Sequence, residues 1–155
     1  MDKATLEGQY GYFRSVLGMT RLLLDQFPES ALSLRPAAGM RSTAEIVSHN
    51  YTFLGDALET VTTKTFVSTP EPEFQNKAEM LAFCDAQVAK MFRLFADVTD
   101  AQLAQPIDAY GTTLTGLQFA VFAYDEHWHH RGQLTIHLRL AGVTPLMIYD
   151  YERLA

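Results

Sequence analysis

The sequence predicts an all-α protein folded as a four-helix bundle. Four stretches of about twenty residues repeat apolar side chains at helical spacing, and the segments between them are rich in Pro, Gly, Ser and Thr. Amphipathic helices of this length bury their apolar stripes against one another. The 155 residues, 48% of them hydrophobic, are therefore expected to form one domain over residues 1–155.

The first predicted helix runs from about Thr5 to Gln26. Apolar side chains recur along one face of it, at Leu6, Tyr10, Phe13, Leu17 and Leu24. The pair Phe27-Pro28 ends this helix, because proline cannot continue the backbone hydrogen-bond ladder.

The second predicted helix begins at a capping box. The Ser42 hydroxyl can accept a backbone N–H, and Glu45, three residues on, can reach back to the cap. The helix is expected to continue to about Thr62, where the polar segment "TTKTFVSTPEPEFQ" follows. A loop of this length can cross an end of the bundle, so up-down-down-up order and simple up-and-down order both remain open on these grounds.

The third predicted helix runs from about Asn76 to Val98 and carries a wide apolar stripe, formed by Met80, Phe83, Cys84, Val88, Met91, Phe92 and Phe95. Cys84 is the single cysteine, which excludes an internal disulfide. Because it stands within the stripe, we predict a buried structural thiol and not a reactive nucleophile.

The fourth predicted helix runs from about Thr115 to Leu140 and is closed by Ala141-Gly142. The segment before it, "TDAQLAQPIDAYGTTLTG", is expected to be a connection with room for a short extended piece.

The charge pattern excludes several classes of partner. A net charge of −6, with scattered Lys and Arg, lacks the basic patch that nucleic acid binding requires. No signal-peptide pattern is visible, and no apolar run approaches the ~20 residues of a membrane span. These observations predict a cytoplasmic protein without a membrane or nucleic acid partner.

Four of the five histidines lie in "YDEHWHHRGQLTIHL", residues 124–138. Each residue advances about 100° around a helix, so His130 falls in the middle of the apolar face. Glu126 and His137 share that direction, and His127 lies about 60° from it. Trp128 and His129 point away and are poorer candidates for an internal site.

A further histidine, His49, shares its face of the second helix with Ile46 and Phe53 and is predicted to point inward. Burying an imidazole or a carboxylate without a partner costs a few kcal/mol, so inward His49, Glu126 and His130 require compensation. A divalent metal supplies it, as does a hydrogen-bonded network of His and Glu. The predicted ligands are His49, Glu126 and His130, with His127 as the alternative to Glu126.

The residues after His130 carry secondary predictions. Arg131 is expected to form a surface ion pair or a dimer contact, with binding of a substrate carboxylate as the alternative. Gly132 is expected to admit close packing by a neighbouring helix. Gln133 is expected to hydrogen-bond to His129 or to a neighbouring subunit, and His137 to order the core or the C-terminal segment.

Two stretches resemble the DinB family, also described as DinB/YfiT-like metalloenzymes. They are "STAEIVSHNYTFLGDALE", residues 42–59, and "HHRGQLTIHLRLAGVTP", residues 129–145. The resemblance implies an up-down-down-up bundle, usually a homodimer, with nickel or zinc on three histidines. By position the ligands are His49, the residue four before His130, and His130. Glu126 stands at the middle position, where the family commonly has histidine, and a carboxylate there also suits iron or manganese.

The resemblance further implies an enzyme that acts on a small-molecule substrate. Related proteins use mycothiol, bacillithiol or glutathione, so the implied activity is that of a thiol-dependent S-transferase or isomerase. Glu126 or His127, whichever is not a ligand, is the candidate for moving the proton. Metal-assisted hydrolysis stays open, as does a noncatalytic, stress-associated bundle that binds a metal or a small ligand.

Overall fold

The computed structural model describes residues 2–154. Its long helices are α1 Lys3–Asp25, α2 Thr43–Thr63, α3 Lys77–Ala96 and α5 Gly116–Leu140. The predicted all-α fold is confirmed, and every end of the four predicted helices lies within two residues of the observed end. The remaining elements are short: α4 Asp100–Ala104, the strands β1 Pro106–Ala109 and β2 Thr112–Thr115, and 3-10 turns at Glu29–Ala31 and Tyr151–Leu154.

Contacts between helix ends fix the direction of α3 relative to α1. The Nζ atom of Lys3, at the start of α1, donates to the carbonyl of Ala96 at the end of α3. At the opposite end of the bundle, Nζ of Lys77 donates to the carbonyl of Asp25. The two helices are therefore antiparallel.

Side-chain contacts also fix the chain directions of α2 and α5. Helix α2 runs parallel to α3, since Gly55 packs against Gln87 and, further along both helices, Glu59 pairs with Lys90. Helix α5 is antiparallel to α2, because Thr43 contacts His137 and Asn50 contacts His127. The order is up-down-down-up, which is the arrangement expected from the resemblance.

The connection before α5 contains more structure than expected. A capping box of Thr99 and Gln102 starts the unpredicted one-turn helix α4. The expected extended piece is a β-hairpin, in which β1 and β2 pair antiparallel. Its two turn residues, Tyr110 and Gly111, both have positive φ, as a tight hairpin turn requires. Helix α5 then starts at Gly116, where a Cβ would collide with the Gln102 carbonyl oxygen.

The C-terminal segment after α5 folds back over α1, and this overturns the prediction of a surface ion pair at Arg131. The Tyr151 hydroxyl lies 2.9 Å from that of Tyr12, and Leu154 packs on Gly18. Arg131 is only 2% exposed, and its guanidinium carbon lies 4.0 Å from the centroid of the Trp128 ring. Arg131 therefore makes no surface ion pair, because the folded-back segment and Trp128 enclose it.

Two further expectations concern small side chains. The prediction for Gly132 is wrong within the chain, since no described atom lies within 4 Å of a Cβ built there. Cys84 is buried as predicted, and burial raises the pKa of its thiol well above the usual range.

Among residues 2–154, none of the helices combines the length and apolar character needed to cross a membrane.

Candidate metal centre

Three side chains from two antiparallel helices meet beside the core. His49 lies on α2, and Glu126 and His130 lie one turn apart on α5. One donor atom from each residue can be chosen so that all three lie within 4.8 Å of one another. The two imidazole centroids are 5.0 Å apart, with the rings nearly perpendicular. The three residues predicted together from the helical wheel are therefore neighbours in space.

The local sequence explains this juxtaposition. Ser42 and Glu45 close a capping box that fixes the start of α2, and Thr115 with Gln118 does the same for α5. Because the two helices run antiparallel and close together, one turn of α5 that carries Glu126 and His130 faces His49.

His130 is oriented by its own helix. Its Nδ1 lies 2.8 Å from Oε1 of Gln133, so the ring N–H belongs at Nδ1, where it donates to the amide oxygen. Burial lowers the pKa of His130, and the neighbouring charge of His49 lowers it further, which favours the neutral ring.

This orientation leaves the other ring nitrogen of His130 without a hydrogen-bond partner among residues 2–154. Nε2 is buried and lies 3.1 Å from Oε2 of Glu126; a protonated ring would make an ion pair at this distance, whereas the atoms lack the geometry of a hydrogen bond. A neutral imidazole lone pair facing a carboxylate oxygen is repulsive unless a cation lies between them.

His49 is oriented from outside the helix by a loop residue. Its Nδ1 lies 2.6 Å from Oε1 of Glu71, and the second carboxylate oxygen of Glu71 accepts a hydrogen bond of 2.9 Å from Arg41. Burial alone would raise the pKa of Glu71, but the hydrogen bond and charge of His49, together with Arg41, bring it below its ordinary value. Nε2 of His49 is thereby left for the centre, the arrangement found in carboxylate–histidine–metal sites.

His127, the predicted alternative ligand, lies elsewhere. It is fully buried, with Nε2 2.9 Å from the Thr20 hydroxyl and Nδ1 3.2 Å from the Asn50 amide. Burial, then the charges of Arg131 and His130, lowers its pKa to about 3. One residue along a helix turns the side chain by about 100°, which places His127 in the core between α1 and α2, away from Glu126 and His130. His127 is therefore not among the donor atoms that lie within 4.8 Å of one another, and both of its ring nitrogens already have protein partners.

The donors border two open cavities. One has a volume of about 360 Å³ and is lined by His49, Phe53, Tyr110, Phe122 and Glu126. The other, of about 250 Å³, is lined by Met40, Arg41, Ile46, His130 and Gln133. A cation held by the three side chains would therefore have space for further ligands, as catalytic sites have and closed structural sites lack.

Sequence reasoning missed the residues that orient the ligands. Glu71 stands in an irregular loop, where no periodicity signals direction, and Arg41 precedes the α2 cap. Gln133 was predicted to contact His129, and this contact is present at 3.1 Å. Its bond to His130 was not predicted, although their spacing of three residues on one helix could have indicated it.

The donor set fits a divalent cation. Two imidazoles and one carboxylate hold zinc in several hydrolases and iron in many oxygenases. Donors that bind one ion at about 2.1 Å are at most about 4.2 Å apart, so donors that lie within 4.8 Å of one another need only small side-chain movements to bind the same ion. The unpartnered Nε2 of His130 is the buried polar atom that such an ion would satisfy.

The fold and the cluster together define a class: an all-α up-down-down-up bundle with a candidate metal centre between its second and last long helices. The model of the DinB superfamily matches residues 12–134, and the chain belongs to this superfamily. The match includes His49, Glu126 and His130, and it confirms the resemblance.

Two relatives extend the comparison. The chain is 23% identical over 145 residues to the uncharacterized protein YjoA of Bacillus subtilis strain 168, covering 90% of this chain and 92% of that protein. The crystal structure of YjoA, a DinB-like protein, superposes with a TM-score of 0.75 at 22% identity, over 90% of this chain and 94% of YjoA. A DinB-like protein from Bacillus cereus ATCC 10987 gives a TM-score of 0.79 at 22% identity, over 92% and 97% of the two chains. These likenesses establish the fold.

Proposed function

We propose that this protein is a divalent-metal-dependent enzyme whose ligands are His49, Glu126 and His130. The observation that carries the proposal is the buried Nε2 of His130, which faces a carboxylate oxygen at 3.1 Å without a hydrogen bond. Zinc or nickel is the expected cation, and the carboxylate also suits iron or manganese. When bound, such an ion supplies a Lewis acid that lowers the pKa of a coordinated thiol or water.

The residues that surround the three ligands have separate roles in this proposal. Glu71 and Gln133 hold the rings of His49 and His130 so that the second nitrogen of each ring faces the centre. Phe53 and Phe122 give one cavity an apolar wall against which an apolar part of a substrate can pack. The Tyr110 hydroxyl, like any phenol at neutral pH, is protonated and can donate to a bound substrate; partial burial and the charges of Glu126 and Asp56 raise its pKa further.

The activity that we propose is transfer of a small thiol to an electrophilic carbon, or isomerisation of a thiol adduct. In the transfer, a sulfur–carbon bond forms and the bond to the leaving group breaks. The leaving group departs with its electron pair, and the thiol proton passes to solvent. Arg41 borders the cavity beside His130, but its guanidinium is paired with Glu71, so a small acidic thiol would have to compete with that carboxylate for it.

Metal-assisted hydrolysis is the second candidate, and one observation favours it. The cavity beside His49 and Glu126 contains no Lys or Arg among its lining residues, so it suits a neutral, apolar substrate better than an acidic thiol. A noncatalytic metal-binding bundle is the third candidate and predicts metal without turnover.

Metal analysis after purification without an affinity tag tests the centre. We expect about one ion per chain, lost in His49→Ala and His130→Ala and retained in His129→Ala, which removes an exposed histidine of the same helix. Substoichiometric metal in all four proteins would falsify the metal centre.

Turnover tests the chemistry. The metal-loaded protein is mixed with glutathione, bacillithiol or mycothiol and 1-chloro-2,4-dinitrobenzene, and adduct formation is followed by absorbance. We expect one thiol to be consumed by the native protein and by His129→Ala, and not by His130→Ala. Hydrolysis of neutral aryl esters without thiol consumption would favour the second candidate, and metal binding without either reaction the third.

We also propose that the protein forms a homodimer through α5. Ile136 and Leu140 are 57% and 55% exposed one turn apart, and beside them Gly132 leaves space for a close helix approach. Light scattering at micromolar concentration should give twice the chain mass for the native protein and the chain mass for Ile136→Lys. A monomeric native protein would contradict the dimer without affecting the metal centre.

A further inference from the structure

A separate cavity lies between α1 and α3 and shares no residue with the candidate metal centre. Its volume is about 360 Å³, within the range of small-molecule sites. We propose that it binds a small amphipathic anion, a molecule with an apolar chain or ring and a single carboxylate. The proposal rests on the wall, the inner end and the charged mouth of the cavity.

The wall is apolar, with Leu17 on α1 and with Val88, Ala89 and Phe92 on α3. Apolar surface in a cavity of this size favours an apolar ligand body, because its burial removes such surface from water. The same wall disfavours sugars and nucleotides, whose polar groups would lose their water without finding partners.

The inner end is formed by Tyr51 of α2, which is 1% exposed. Its hydroxyl is buried and has no hydrogen-bond partner among residues 2–154. Tyr51 lines the cavity together with Cys84, Asp85 and Arg21. Burial raises the pKa of Tyr51, so the hydroxyl keeps its proton and can donate it to a ligand. A buried hydroxyl without a partner indicates a missing ligand or water.

Two arginines lie at the cavity, and they differ in their partners. Arg21 is paired with Asp85 at 3.0 Å and is therefore neutralised. Arg14 stacks on Phe92, with its guanidinium carbon 3.7 Å from the ring centroid, and no carboxylate of the described chain lies within 4.0 Å of it. The mouth thus presents one uncompensated cation beside an apolar wall, which matches a monoanion with an apolar body.

Decanoate is the probe, and isothermal titration with EDTA-treated protein is the measurement, so that no metal competes for the carboxylate. We expect one binding site, with affinity reduced at least tenfold in Arg14→Gln and reduced for the uncharged probe decanol. Ala89→Trp, which fills the cavity from an exposed position of α3, should abolish binding. Arg93→Gln, an exposed arginine of α3 outside the cavity, should bind as the native protein does.

Tyr51→Phe tests the inner end, and we expect weaker binding with unchanged helical circular dichroism. His130→Ala should bind decanoate normally, which separates this site from the metal centre. Equal affinities for decanoate and decanol, or undiminished binding in Ala89→Trp, would overturn the proposal. Conversion of a native dimer to a monomer by Ala89→Trp would also overturn it and assign the cavity to a second copy of the chain.

Discussion

Nδ1 of His49 lies 2.6 Å from Oε1 of Glu71, so a loop residue 22 positions along the chain orients one of the three candidate ligands. The other oxygen of Glu71 is held by Arg41, and the carboxylate cannot turn away without losing that bond. A hydrogen bond of this kind fixes the ring and raises the basicity of the nitrogen that binds metal.

Glu71→Gln is expected to weaken zinc binding about 10- to 100-fold, because the amide keeps the shape of the side chain but loses its charge. Titration of the apo-protein with zinc in the presence of a competing chelator measures this. The matched control is Glu73→Gln, an exposed glutamate in the same loop without a hydrogen bond to the described chain. Equal affinities of the two variants would mean that Glu71 does not act on the centre.

Glu126→His should change the metal preference of the centre. Three imidazoles suit zinc and nickel, and loss of the carboxylate disfavours manganese, so we expect the ratio of zinc to manganese affinity to rise about tenfold or more. Glu126→Gln is the control, since it removes the charge without supplying an imidazole. Calorimetric titrations of the EDTA-treated variants measure the preference, and a parallel loss of both metals in Glu126→His would contradict it.

The stability of the metal-free protein should fall as the pH is lowered from 6.5 to 5. Burial holds the pKa of His127 at about 3 in the folded chain, whereas the unfolded chain takes up the proton near pH 6.5. The neutral ring therefore contributes fully above pH 6.5, and about 2 kcal/mol of unfolding free energy should be lost by pH 5.

Urea titrations in EDTA at several pH values check this prediction. His129→Gln, which replaces an exposed histidine, should show the same slope as the native protein, and His127→Gln a smaller one. His137 adds to the loss, because burial lowers its pKa as well. A stability that does not change between pH 6.5 and 5 would show that the buried rings accept protons in the folded state.

Arg131→Ala is expected to destabilise the protein by about 2–3 kcal/mol, because the substitution removes a buried stem and its stacking on Trp128. Arg131→Lys should cost less, since it keeps the stem and the charge but not the planar group. Thermal unfolding measures both. Arg139→Ala, at an exposed position of the same helix, should remain within about 0.5 kcal/mol of the native protein, and equal losses at positions 131 and 139 would rule out this role.

The four long helices could be predicted because their apolar residues repeat with the helical period and their ends carry caps or proline. The convergence of His49, Glu126 and His130 could be predicted from the same period, since it fixes direction around each helix. The choice between Glu126 and His127 stayed open because both lie near the inward direction, and only the packing of α1 against α5 shows where His127 is enclosed.

Other features could not be predicted, because they depend on loops and a chain end in which apolar residues do not repeat at a regular spacing. The helical periodicity of α5 placed Arg131 on the exposed side, because periodicity carries no information about a chain end that folds back over the helix. In the structure Arg131 is buried. Glu71 lies in a loop whose path is set by contacts such as that of the Ser48 hydroxyl with the Pro72 carbonyl. Residues of this kind have no signature in a single sequence, although they orient the centre.

The positions of the donors along the chain have a consequence for synthesis. His49 and Glu71 leave the ribosome first and can pair while α5 is still untranslated, whereas Glu126 and His130 arrive together on the last long helix. The centre therefore cannot form on a nascent chain that lacks α5. The complete set of three ligands is therefore present only once that helix has packed against α2.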